Sequence, residues 1–378
     1  MQCDYFDAGV CSSCNQMGVP YATQLLAKEN AACELFSHCE GLVWLPSAVS
    51  DESAFRNKAK IVVAGTVTDP TLGIVDARTG CGTDLSGCGL YTFEITRIMP
   101  VLRELIIRAG LTPYDIPGRK GELKNILVTA SASGEVMLRF VLRSKKLLVP
   151  IRRELARLHE EIPSLAVVSI NLLREHVALV EGDEEIVLTQ RTTLPMQVNE
   201  MTLHLRPQSF FQTNTGIAEA MYHQGRAWVA DVQPKSVWDL YCGVGGFALH
   251  AAAAAPSAQV EGIEISEEAI LSAQRTVAEQ NLKNLHFVAG DATAFAVESE
   301  RTPELLIMNP PRRGVGQELS HWVEESGIDT VIYSSCNAKS LAKDLTFMPS
   351  YQPVEAKVLD MFPQTSHYEM MMLLKRRR

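Results

Sequence analysis

The sequence predicts an α/β protein: a doubly wound parallel sheet in the last half, a β-rich middle and a cysteine-rich start. Three observations carry this reading. After about Met201, short apolar runs alternate with helical stretches. Between Lys58 and Gln197 the runs are short, β-branched and often alternating. Of nine cysteines, Cys3, Cys11, Cys14, Cys33, Cys39, Cys81 and Cys88 lie in the first quarter, leaving only Cys242 and Cys336 downstream.

These observations divide the chain into residues 1–55, 56–199 and 200–378, with a soft boundary near 200. At 378 residues and 46% hydrophobic, the chain is long enough to bury more than one core. The start "MQCDYFDAGVCSSC" has neither the basic opening nor the apolar centre of a signal peptide, and no apolar run is long enough to span a bilayer. A cytoplasmic protein with no membrane association is expected.

A net charge of -9 excludes a protein that coats nucleic acid indiscriminately. Charge is nevertheless uneven. Residues 118–161 hold ten Lys or Arg (Arg119, Lys120, Lys124, Arg139, Arg143, Lys145, Lys146, Arg152, Arg153 and Arg157) against five acids, and the chain ends "KRRR". Such a stretch suits either a polyanion or an ordinary solvated face.

In order, "YATQLLAKENAACELF" reads as a helix within the first segment. The middle offers strands at 60–67, 72–77, 125–143 (with "SASGE" as a hairpin turn), 165–173, 176–182 and 184–190. Helices are expected at "VLRELIIRAG" and "RRELARLHEEI". The last half runs strand "SVWDLY", helix "GFALHAAAAA", strand "QVEGIEI", helix "SEEAILSAQRTVAEQN", then strands "LHFVAG", "LLIMNP" and "TVIYSS" and helix "SLAKDL".

The stretch "VWDLYCGVGGFALHAA" is strand, glycine turn, helix, the arrangement that lets a backbone approach a nucleotide. Gly243 belongs to that turn. Glu264 ends the next strand, about twenty residues on, where a carboxylate can accept from ribose hydroxyls. Asp291, at the end of the third strand, is placed to border an adenine. Dinucleotides and S-adenosylmethionine both use this geometry. The run Gly-Val-Gly-Gly-Phe departs from GxGxxG, and Asp239 just before the turn suits the cationic amino-acid end of S-adenosylmethionine, which is favoured.

The fourth strand delivers "NPPRRG", a rigid loop over the crevice of the sheet. In methyltransferases that act on exocyclic amines an aromatic usually follows the Pro-Pro. Arg312 stands there instead, which argues against amine methylation. The fifth strand delivers "YSSCN". Cys336 is either a small core residue or a nucleophile whose thiolate the following helix, starting near Asn337, would favour.

From end to end the chain resembles the uracil-C5 RNA methyltransferases, most closely their 23S rRNA branch. The likeness rests on "MQC" followed by C-x2-C, "FRNKAK", "RPQSFFQTN", "DLYCGVGGF", "GIEI", "NPPRRG", "YSSCNA" and "DMFPQTSHYE". It implies a class I, Rossmann-like S-adenosylmethionine methyltransferase domain behind a central RNA-binding domain. Relatives often carry an N-terminal oligonucleotide-binding β-barrel, and its apparent absence favours the 23S rRNA branch.

The resemblance implies that Gln212, Tyr241, Glu264 and Asn309 bind S-adenosylmethionine. Tyr241 replaces a commoner Phe, and Asn309 stands where many relatives carry Asp. It also implies that Cys336 is the nucleophile that adds to carbon 6 of uracil, and that Glu369 is the base that removes the carbon 5 proton. On its own, Glu369 would read as a surface carboxylate. Arg312 is a candidate to steady the enolate or a phosphate. The implied partner is one uridine of 23S rRNA, in a loop and flipped from its stack, with no obligate protein partner. Two rival readings are the same chemistry on tRNA or another rRNA uridine, and an inactive metal-cluster RNA-binding protein.

Clustered cysteines in a reducing compartment suggest a metal more than disulfides. Cys3, Cys11 and Cys14 are spaced C-x7-C-x2-C, unlike the C-x3-C-x2-C of radical S-adenosylmethionine enzymes. With a fourth downstream, they could hold zinc or iron–sulfur. The resemblance implies a [4Fe-4S] cluster completed from about 78–92 by Cys88. Cys81 is the rival, and Cys33 and Cys39 are expected to be free thiols in or near a helix.

Overall fold

The computed structural model describes residues 1–76 and 81–377. Residues 78–80 of the expected 78–92 segment, the last residue of the expected strand 72–77 and the final arginine of "KRRR" lie outside the described residues. The chain forms two units, Met1–Met17 with Ser53–Met196, and Gly18–Glu52 with Gln197–Arg378. The three-part division therefore becomes two, because the first segment splits. The helix Tyr21–Leu35 buries Ala32 in the core of the second unit, and Val43–Trp44 pairs parallel with a strand of its sheet. Only the first seventeen residues, which carry Cys3, Cys11 and Cys14, belong with the central region.

The first unit contains a seven-stranded sheet. Its strands are β1 (Lys58–Gly65), β2 (Pro70–Val75), β3 (Gly82–Asp84), β4 (Leu123–Ala130), β5 (Val136–Leu142), β6 (Leu165–Leu172) and β7 (Glu184–Val187), in the order β3-β2-β1-β4-β5-β6-β7. The expected turn at "SASGE" joins β4 to β5, with Gly134 at φ 85°. Only β5 and β6 are parallel. A parallel pair needs a crossover, and the helix Leu148–Glu161 supplies it, burying Ile151 and Leu158. The apolar core between sheet and helices is built from β-branched and leucine side chains such as Ile61, Ile126, Leu138 and Ile170, together with Leu102 and Ile106 of the helix Met99–Arg108.

The stretch 176–182, expected as a strand, is not one. β7 pairs antiparallel with β6 so that Leu172 faces Glu184, and the residues between must make the connection. Val177, Leu179 and Val180 are consequently exposed.

The second unit has the doubly wound sheet expected from the alternation. Its strands are β8 (Ser236–Leu240), β9 (Gln259–Glu264), β10 (Leu285–Ala289), β11 (Leu305–Met308), β12 (Thr330–Ser335), β13 (Tyr351–Leu359) and β14 (Glu369–Arg376). They lie in the order β13-β14-β12-β11-β8-β9-β10, and β14 alone runs antiparallel to its neighbours. The direction of winding reverses between β8 and β11, so the ligand crevice opens at their carboxyl ends. The hairpin β13–β14, absent from the sequence reading, wedges β14 between β12 and β13 and sets Glu369 as its first residue. No helix among the described residues is long and apolar enough to cross a membrane.

Candidate active site

The turn after β8 is built to leave room for a ligand. Tyr241, Gly243 and Gly245 all have positive φ, at 64°, 56° and 89°. A Cβ on Gly245 would meet the Phe287 ring at 2.4 Å, and one on Gly246 would meet Tyr222 at 2.3 Å. Nothing lies within 4 Å of a Cβ built on Gly243. The first two positions thus need glycine for packing. Gly243 borders open space.

Asp239 lies under this turn with its side chain fully buried. Its Oδ2 accepts from the Ala248 amide at 2.9 Å, while its Oδ1 is buried with no partner among the described residues. Burial pushes its carboxyl up to about 8, and Glu264 adds to the shift. A buried oxygen without a donor costs free energy unless something fills the gap. A cationic ligand group is the chemistry it asks for, so the residues present fit S-adenosylmethionine.

Glu264 braces the turn: its Oε2 accepts from the Gly243 amide at 3.2 Å and its Oε1 from the Ser266 amide at 2.9 Å. Each oxygen keeps a further lone pair that can accept a hydrogen bond. Asp291 caps the helix Ala292–Glu298, and its Oδ1 accepts from the amides of Thr293 and Ala294, both at 2.9 Å. That cap is a structural duty the sequence reading did not assign. The Tyr241 hydroxyl lies by Thr293, and burial raises its pKa, with Asp291 adding to the rise. Across the switch point, the Asn309 amide donates to the Leu240 carbonyl at 3.3 Å, fixing the start of the Pro-Pro loop. Gln212 is buried just before Asn214, which caps the helix Thr215–Val232 through a bond from the Ile217 amide to its Oδ1 at 3.3 Å. Tyr222 on that helix is buried, and its hydroxyl pKa is raised by burial and by both Asp239 and Glu369.

Cys336 and Glu369 meet at the end of the sheet. Ser335 pairs with Met370 in the last rung between β12 and β14, and Cys336 and Glu369 are the residues immediately beyond it, near enough for the carboxyl to act on the thiol. Glu369 is 3% exposed, its Oε2 has no partner among the described residues, and burial pushes its carboxyl up to about 8. The Cys336 thiol is half-buried and pushed up to about 11, by burial first and by Glu369 second, while Arg312 opposes. This corrects the expectation that the helix N-terminus favours a thiolate. Cys336 precedes the cap Asn337, and desolvation with a neighbouring carboxyl outweighs the helix Ala338–Leu345.

Two loops are tied together here. Asn337 Nδ2 donates to the Arg312 carbonyl at 3.0 Å, joining "NPPRRG" to "SCN". Asp344 accepts from the Tyr333 hydroxyl at 2.7 Å and the Val315 amide at 2.9 Å, locking the same loop from below. Asp344 and Tyr333 went unnoticed in the sequence because each looks like an ordinary helix or strand residue.

Within the first unit, Cys14, Met17 and Leu90 form a small core against which Met1, Cys3, Phe55 and Cys88 pack. Burial pushes the Cys14 thiol up to about 11, with Cys88, Cys11 and Cys3 each adding to the rise. Those four thiols are therefore neighbours. Cys81 is exposed at the start of β3, outside this core, Cys33 is exposed on the helix Tyr21–Leu35, and Cys39 is half-buried. Among the described residues no three His, Cys, Asp or Glu side chains already stand as a closed metal-ligand set.

The basic stretch is less of a face than its count implied. Lys124 and Arg139 are buried, and Lys145, Lys146 and Arg157 pair with Glu184, Glu122 and Glu161. Arg119, Lys120, Arg143, Arg152 and Arg153 stand exposed.

A family profile described as tRNA (Uracil-5-)-methyltransferase matches residues 180–377. The 23S rRNA (uracil(747)-C(5))-methyltransferase RlmC of Halothiobacillus neapolitanus is 48% identical over 380 residues, covering all of both chains. The chain belongs to the RNA uracil-C5 methyltransferases. RlmC of Pectobacterium carotovorum is 45% identical over 384 residues, again covering both chains fully. Among solved structures, the Pyrococcus abyssi tRNA (uracil-54, C5)-methyltransferase in complex with S-adenosyl-L-homocysteine superposes with a TM-score of 0.79 at 22% identity, covering 96% of this chain and 85% of that one. That likeness shows the fold, the α/β architecture of a methyltransferase. As a uracil-C5 methyltransferase, the chain uses S-adenosylmethionine as its methyl donor.

Proposed function

We propose that this chain methylates carbon 5 of uridine 747 in 23S rRNA, the nucleotide named for its relatives. The observation that carries the mechanism is the nearness of Cys336 to a buried Glu369, each just beyond the last rung between β12 and β14. The uridine leaves its stack to reach them. Cys336 adds to carbon 6 as thiolate, and the C5–C6 π electrons move toward the carbon 4 oxygen, so carbon 5 becomes nucleophilic. Arg312, whose charge lowers the thiol's pKa, favours that addition. Bound S-adenosylmethionine supplies an electrophilic methyl group at the crevice. When it is bound, Asp239 Oδ1 would hold its ammonium, Glu264 its ribose, and Gln212, Tyr241, Gly243, Asp291 and Asn309 would line the remainder.

Glu369 then takes the carbon 5 proton. The C–H electrons re-form the C5–C6 double bond, the C6–S bond breaks and Cys336 leaves. A carboxyl near 8 is matched to such a proton at physiological pH. A cytoplasmic setting accords with a ribosomal RNA substrate. The exposed Arg119, Lys120, Arg143, Arg152 and Arg153 are the candidate phosphate contacts, and an unchanged salt dependence after reversing Arg152 and Arg153 would remove them.

The test is transfer of labelled methyl to 23S rRNA and to tRNA, with mapping of the product. Label at uridine 747 that disappears in Cys336→Ala is expected. Label in tRNA would move the reading to the tRNA-acting branch, and wild-type methylation by Cys336→Ala would end the covalent mechanism.

For the four neighbouring thiols we propose a [4Fe-4S] cluster on Cys3, Cys11, Cys14 and Cys88. An all-thiolate set supplies that chemistry, and the mutual proximity of the thiols supports it. Anaerobic protein should contain iron and a broad visible band, both lost in Cys14→Ser. Stoichiometric zinc would replace this reading.

A further inference from the structure

The base at the end of the sheet is aimed by its backbone. Glu369 Oε2 has no hydrogen-bond partner among the described residues, so its direction depends on β14 and on the loop 360–368 that delivers it. That loop is held by a helix more than 330 positions earlier in the chain. Lys28 Nζ donates to Asp360 Oδ1 at 2.6 Å and to the Phe362 carbonyl at 3.1 Å. Gln24 Oε1 accepts from the Gln364 amide at 2.9 Å, and Gln24 Nε2 donates to Gln364 Oε1 at 3.0 Å. Gln364 itself has φ 66°, a conformation a side-chain-bearing residue adopts only when its surroundings hold it there.

The placement is costly. Gln24, Lys28 and Ala32 share one face of the helix Tyr21–Leu35, the face turned to the interior, and all are at most 2% exposed. An amphipathic helix ordinarily fills such positions with apolar side chains. A buried ammonium and a buried amide survive there because each meets a specific group on the loop. Both grips fall between the end of β13 and Glu369, and the β13–β14 ladder closes at the Leu359–Glu369 rung. The loop is thus fixed at its first residue, at its middle and at its end.

We propose that Gln24 and Lys28 are positioning residues for Glu369, acting on the elimination step and not on methyl transfer. The inference rests on the reading of Glu369 as the base. Loosening either grip lets the carboxyl stray from the carbon 5 proton, while Cys336, just after β12, and the cofactor turn after β8 keep their own supports. The reaction then stalls after methylation, with the C6–S bond intact.

The test uses the full chain as Gln24→Met, Lys28→Met and Glu369→Gln. Three quantities are read: steady-state turnover, methyl groups transferred in a single turnover, and the denaturant-stable protein–RNA adduct. For Gln24→Met and Lys28→Met, turnover is expected to fall about 10- to 100-fold. Single-turnover transfer should stay within about two-fold, and the adduct should accumulate as in Glu369→Gln. A general loss of structure would lower transfer and turnover together and leave no adduct, and that result overturns the proposal. So does wild-type turnover in both variants. If Glu369→Gln itself forms no adduct, the assignment of the base fails first. Lys28→Met leaves Asp360 buried without its partner; should it fail to fold, Gln24→Met, which removes no charge, decides alone.

Discussion

Each unit buries charge in its sheet, and the two do so in opposite ways. In the first, Arg139 is 1% exposed, yet its guanidinium reaches Glu185 at 2.7 and 3.0 Å and Glu181 at 2.5 Å. Ser169 and Asn171 complete Glu185 at 2.5 and 2.8 Å. In the second, Asp239 Oδ1 and Glu369 Oε2 are buried with no partner among the described residues. A completed network carries structure, and an incomplete one is a place kept for something else. The contrast separates two buried charge sets that burial alone would class together.

The largest effect that would test this contrast is on stability. Arg139→Met strands two carboxylates, one of them well buried, and should cost about 3–5 kcal/mol in urea unfolding. Methyl transfer per folded molecule should not change. A loss under about 1 kcal/mol would mean the network is not the completed structure its geometry describes.

A somewhat smaller effect should appear at Glu369, with a sign that identifies it. Its folded pKa, about 8, lies above its ordinary 4.5, so the folded state holds the proton longer than the unfolded chain does. The associated stabilisation is fully present below pH 4.5 and is lost as pH rises through 8. Between pH 6 and 9 the wild type should lose about 2–3 kcal/mol from this group. Glu369→Gln has no proton to lose, so its stability relative to wild type should rise by that amount. Asp239 titrates with the same sign in both proteins and cancels. A gap that does not widen with pH would mean the carboxyl is hydrated and ionised throughout.

How much of this was legible beforehand follows from the range of the interactions involved. The doubly wound sheet was readable because periodicity and glycine turns are local, and Asp239, Gly243 and Glu264 fall within one strand–turn–helix–strand unit. Cys336 could be placed at a strand end, but its pKa could not be read, because the neighbouring Glu369 arrives on a later strand, β14, that the local pattern did not reveal. The hairpin β13–β14 escaped notice: β14, "EMMMLLKR", is continuously apolar with no alternation. Gln24 and Lys28 looked like ordinary helix residues, since only the folded loop reveals what they hold. The split of the first segment was likewise invisible: Ala32 and Trp44 join a core formed by residues hundreds of positions later, and Val43–Trp44 pairs with a strand of that part of the chain.

The smallest effect concerns Asp239, and it tests whether its open oxygen is a ligand place or only a packing fault. With a carboxyl near 8, most molecules at pH 7 hold Asp239 neutral. A cation at Oδ1 requires the carboxylate, so binding of S-adenosylmethionine must expel that proton. Below pH 8 the ligand's own ammonium is mostly charged and contributes little variation. Affinity should therefore rise up to about tenfold per pH unit between 6 and 7.5, equivalent to about 1.4 kcal/mol. Calorimetry in buffers of different ionisation enthalpy should find close to one proton released per ligand at pH 7. In Asp239→Asn both the slope and the proton should vanish, with weaker binding throughout. If the wild type shows no proton release, the ligand's cation sits elsewhere, and the unpaired oxygen of Asp239 loses its claim to belong to the site.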